Sequence, residues 1–134
     1  MKQPTFVVVS VAHGLLHVQF NPAVKLDDFL RLFGEIRQMA DAHKLKNILI
    51  DARIFKKKVS AVQRLQVAQA LVKIFLGYRV AGVISVESFD PHLLAETMAR
   101  NRGGNVKMTT SLAEALKWFS PVAGAGELPL ARGA

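Results

Sequence analysis

Cysteine is absent from the 134 residues of this chain. That absence removes disulfides, iron–sulfur clusters, cysteine zinc sites and thiol catalysis together. Acid is scarce: 10 aspartates and glutamates stand against 18 lysines and arginines, a formal charge of +8. So few carboxylates leave little material for paired-acid chemistry. Long apolar runs are missing as well. No window of about 18 residues is uniformly apolar, so no membrane span is expected. The stretch Phe6-Val7-Val8-Val9 is short, is interrupted by Ser10 and His13, and has no small-residue cleavage site behind it. A signal peptide is therefore not expected, and a cytoplasmic protein is the default.

What is present is enough to fold. Hydrophobic residues make up 51% and charged residues 21%, which is globular rather than disordered composition. The length suits one domain with a self-sufficient core. Residues 5–11 are β-branched and aromatic, His13-Gly14 offers a turn, and residues 15–20 make a second strand, so the chain opens as a hairpin. Asn21-Pro22 ends it. Leu26, Phe29, Leu30, Phe33, Ile36, Met39 and Ala40 then recur at helical spacing, with Asp27 and Asp28 in the first turn.

The run 47–51 has the apolar character of a central strand. Ser60 and Gln63 stand at capping-box spacing and open a helix that Gly77 closes. Residues 79–86 predict a buried strand. Asp90-Pro91 offers an N-cap followed by proline at the first helical position, and Gly103-Gly104 ends that helix. Residues 106–108 form a short strand. Ser111 and Glu114 suggest a second capping box, opening a helix that reaches Trp118-Phe119 and stops at Pro121. Residues 120–134 hold three glycines, two prolines and four alanines without apolar periodicity, so 1–120 is expected to be the domain and 121–134 a flexible tail.

The resulting order, ββαβαβαβα, is an α/β fold with a single mixed sheet: an N-terminal hairpin plus parallel strands joined by right-handed crossovers, with helices packed on it. Two segments now carry a resemblance. Asp51-Ala52-Arg53 ends the central strand, and Glu114-Ala115-Leu116-Lys117-Trp118-Phe119 closes the domain. In these, and in the run from Arg79 onward, the chain resembles the SpoIIAA-like family of the STAS/CRAL-TRIO-like fold over about residues 5–119. The resemblance implies a small α/β module that regulates by binding. The sequence has no GxSxG elbow and no pair of well-placed acids, so no catalytic residue and no cofactor are expected. Relatives of CRAL-TRIO type bind lipids, so a carrier of an apolar or amphipathic ligand is the alternative.

Candidate sites follow. Ser60 occupies the place where anti-sigma antagonists of that fold carry a phosphorylatable serine, which makes it a candidate switch. The flanking residues Val59 and Val62 depart from their motif, and a capping role explains the serine without phosphorylation. Asp51 and Arg53 stand at the C-terminal end of a parallel strand, the edge from which ligands of open α/β sheets bind. With Lys56, Lys57 and Lys58 they make a candidate ligand or partner site for something anionic. A solvated basic loop and a loop-fixing Asp51 are the plainer alternatives.

Nucleic acid is not expected, because RNA-binding aromatic signatures and helix-turn-helix spacing are missing. His13, His17, His43 and His92 make no recognisable metal-ligand set, and surface or turn positions are expected for them. The helix after Ser60 carries apolar residues on more than one face. Phe75, Leu76 and Tyr78 at its end are the expected homodimer contact, unless the surplus lines a pocket or thickens the core.

Overall fold

A computed structural model describes residues 6–56, 59–86 and 94–119. Five strands form one mixed sheet in the order β1-β2-β3-β4-β5. They are β1 (Phe6–Ala12), β2 (Leu15–Phe20), β3 (Asn47–Ala52), β4 (Arg79–Ile84) and β5 (Asn105–Thr109). The helices are α1 (Phe29–Ala42), preceded by a 3-10 turn at Leu26–Asp28, α2 (Ala61–Ile74), α3 (Leu94–Asn101) and α4 (Leu112–Phe119). The α/β class, the element order and the mixed sheet agree with the sequence reading. Asp90-Pro91 and the tail after Phe119 lie outside the described residues. Among the described residues no helix is long and apolar enough to cross a membrane.

The hairpin turns on His13 and Gly14, whose φ angles of 55° and 75° are both positive. Two successive positive φ values are what a two-residue type I′ turn requires, and its twist matches that of the strands. Only β1 runs antiparallel. The pairs β2–β3, β3–β4 and β4–β5 are all parallel.

Alternation along the strands then separates two cores. Leu16, Val18 and Phe20 of β2, Ile48 and Ile50 of β3, and Val80 of β4 face one side. There they meet Leu32, Phe33 and Ile36 of α1, Leu71 of α2, and Phe75 just beyond it. Leu49, Ala81 and Val83 face the other side and meet Ala115 of α4, flanked by Leu112, Trp118 and Phe119.

Phe75 and Tyr78 are 2% and 4% exposed and belong to the first core, which corrects the expectation that they form a surface contact. The Phe75 ring packs edge-on against both Phe33 and Tyr78, while Leu76 alone of the three stays exposed. The Tyr78 hydroxyl donates to Asp41, and Arg37 and Lys46 lie over its ring.

Two helices end alike with different residues. At the end of α3, Gly104 N–H donates to the Ala99 carbonyl and Gly103 N–H to that of Arg100, with Gly103 at φ 76°. At the end of α1, Leu45 N–H donates to Ala40 and Lys44 N–H to Asp41, with Lys44 at φ 57°. Both are Schellman motifs, and only the first has the glycine that a left-handed residue favours. A lysine there bears steric strain that glycine would relieve. Lys44→Gly should therefore stabilise the fold by about 0.5–1 kcal/mol, against the usual cost of a new glycine. Urea denaturation checks this, and a lower midpoint at unchanged slope would refute it.

Candidate functional site

The C-terminal end of β3 holds the densest polar contact in the described chain. Asp51 is 5% exposed although it is charged. Its Oδ1 accepts from the Arg53 backbone N–H at 3.1 Å and from Arg53 Nε at 2.9 Å, while Oδ2 accepts from Nη2 at 2.7 Å. A two-pronged guanidinium–carboxylate contact is the strong form of ion pair. Burial works to raise the Asp51 pKa, but the Arg53 hydrogen bonds and charge outweigh it, and the carboxyl is held below its usual range. The pair fixes the chain as it leaves the sheet. It also leaves the Arg53 side chain half-exposed at the rim.

The same face brings in a residue that sequence reasoning placed at the surface. His17 on β2 lies opposite Leu49, two residues before Gln19, which itself pairs with Asp51. On its other side it pairs with Ser10 of β1. His17 is only partly exposed, and its Nε2 atom is buried with no hydrogen-bond partner among the described residues. Desolvation lowers its pKa, Asp51 pulls it back up, and Arg53 lowers it further. The alternating strand pattern LLHVQF could have exposed this in advance, because position 17 falls on the second face together with Leu15 and Gln19.

The remaining predicted site residues have definite places. Ser60 is a cap: its hydroxyl accepts from Gln63 N–H at 3.1 Å, and its own N–H donates to Gln63 Oε1 at 3.0 Å. The second capping box is only half formed. Ser111 Oγ accepts from Glu114 N–H, but the Glu114 carboxylate takes the Thr109 hydroxyl at 2.8 Å, and Ser111 N–H turns to Thr109 as well. Arg64 of α2 donates to the Val59 carbonyl at 2.9 Å, which ties the loop to that helix. Lys56 is exposed, while Lys57 and Lys58 lie outside the described residues.

Ser85 Oγ donates to the Phe55 carbonyl at 3.0 Å and joins the end of β4 to the loop after β3. Ile54 and Val86, the chain neighbours of Phe55 and Ser85, are exposed, and so is Val62 in the first turn of α2. Elsewhere, a shallow pocket of about 300 Å³ between α2 and the end of α3 is lined by Gln69, Val72, Lys73, Leu76 and Arg102. Among the described residues, no three His, Asp or Glu side chains converge as metal ligands.

The sign of the His17 effect follows from its direction. A histidine whose folded pKa lies below its unfolded value of about 6.5 favours the fold when neutral. Its contribution is full above that pH and is lost on acidification, until the folded pKa is passed. His17→Gln, which never charges, should flatten that part of the stability–pH curve. Denaturation midpoints for both proteins from neutral pH downward test this, and parallel curves would refute it. Compared with protein-family models, with curated proteins and with solved structures, the chain matches none of them.

Proposed function

We propose that this chain is a STAS-type binding module of SpoIIAA-like kind, which presents the C-terminal end of its sheet to a protein partner and catalyses no reaction. One observation carries the reading: apolar side chains stand in water at that end. Val86, just after β4, is 76% exposed, Val62, in the first turn of α2, is 65% exposed, and Ile54 is exposed on the loop that Ser85 holds. Loops that a rigid scaffold positions are where binding residues concentrate. An apolar centre with a polar rim is interface anatomy. Here the rim is cationic, with Arg53 anchored by Asp51 and Lys56 next along the loop. The complementary partner carries an apolar patch edged with acid.

The test uses the full chain with an affinity tag. Capture from the source organism should retain a defined partner with the wild type and with Leu116→Asp, a control on α4. Ile54→Asp and Val86→Asp should lose it by tenfold or more without change in melting temperature. A partner held equally by all four proteins would refute the reading.

A second reading, a carrier of an amphipathic ligand, draws support from the pocket on α2. Val72 and Leu76 give it an apolar floor, and Lys73 and Arg102 could meet an anionic head group. Its volume is at the low end for ligand pockets. Native mass spectrometry of freshly purified protein should show a bound lipid-like mass if this reading holds, and Lys73→Glu should abolish it. A bare chain mass would reject it.

A further inference from the structure

The two edges of the sheet are treated oppositely. An open edge exposes a row of unpaired backbone N–H and C=O groups and invites another strand, so proteins cover or charge their edges. The β5 edge has both protections. The Glu96 carboxylate on α3 accepts the Met108 N–H at 2.7 Å, and Lys107 sits within the strand. Among the described residues the β1 edge has neither. Its sequence, Phe-Val-Val-Val-Ser-Val-Ala, contains no charge and no proline, and among the described residues β1 pairs only with β2. Val7, Val8, Val9 and Val11 are each between 38% and 52% exposed. They fall on both faces, because Val8 and Val11 pair with Val18 and Leu16 on the α1 side while Val7 pairs with Gln19 on the other.

We propose that β1 is the surface through which two copies of this chain pair, edge to edge and antiparallel about a two-fold axis. Charge selects where two copies can meet. Each copy carries +8, so most approaches between copies are repulsive, and this uncharged strand is where two of them can meet. Symmetry selects it too. A strand laid antiparallel to its own copy offers the same donors, acceptors and valines from both sides, as an isologous contact requires.

The bulge between Val8 and Ser10 sharpens the local twist and confines ladder pairing to a short stretch, so contact between valines must supply the rest. One strand edge of about 23 Å gives less than the roughly 800 Å² per partner of a standard interface. The dimer is therefore concentration-dependent. It also tightens with added salt, which screens the repulsion between copies.

Sedimentation of the full chain tests this independently of the partner-binding reading. The wild type should be dimeric at tens of micromolar, dissociate on dilution, and dimerise more tightly at high salt. The exposed-site variant Val7→Lys/Val9→Lys should be monomeric with an unchanged circular dichroism spectrum. Leu76→Lys, on the helical face, should remain dimeric. Amide exchange in β1 of the wild type should slow as protein concentration rises, a readout that needs no variant. A wild-type monomer, a dimer that survives the double lysine variant, or a dimer lost in Leu76→Lys would each overturn the proposal.

Discussion

The handedness of parallel crossovers governs this molecule. A strand, a helix and the next parallel strand close almost always to the right. Here the strands follow one another across the sheet without reversal, from β1 to β5. Successive crossovers in one direction and of one hand put their helices on one face. Accordingly α1 and α2 share a core with β2, β3 and β4, and α3 packs against α2 and β5. Only α4, which closes no crossover, is free to cover the opposite face, and it reaches β3, β4 and β5. Among the described residues no helix packs on the hairpin half of that face. His17, Gln19, Ser10 and Val7 stand there as a consequence of topology.

The same geometry denies the sheet a switch point, where outgoing loops diverge and leave a crevice for a ligand. Among the described residues, the C-terminal end is held by short-range polar contacts. Asp51 is buried beside a half-exposed Arg53, and Ser85 bridges to Phe55. A buried carboxylate costs several kcal/mol unless it is paired and hydrogen-bonded. Three Arg53 donors meet that need and in doing so fix the loop that carries Ile54 and Lys56. At the opposite end, Arg79 stacks over Trp118 and donates to its carbonyl, which fastens α4 to the start of β4. The Trp118-Phe119 pair that marks the closing helix is in this respect a clamp for the fold.

Much of the architecture was legible because it rests on periodicity and capping. The alternation in LLHVQF, the helical stripe from Leu26 to Ala40, the Ser60–Gln63 box and the Gly103-Gly104 stop are local signals, and local backbone physics decides them. The failures share a cause. Phe75 and Tyr78 were expected at the surface because they cluster with Leu76 at the end of α2, yet Phe75 packs against Phe33 and Tyr78 against Phe75, and both are buried. Glu114 stood at capping spacing, but Thr109 on β5 offered a competing hydroxyl.

By itself the sequence determined the class of fold, the order of elements, and the cap at Ser60. Each depends on residues within a turn or two of one another. The tertiary structure alone decided which strands became edges, which faces the described helices cover, and which charges met. It buried His17 Nε2 beside the Asp51–Arg53 pair, protected β5 with Glu96, and left the valines of β1 in water. Those outcomes depend on sheet order and crossover hand, which bring together residues distant in the chain and leave no mark in local spacing.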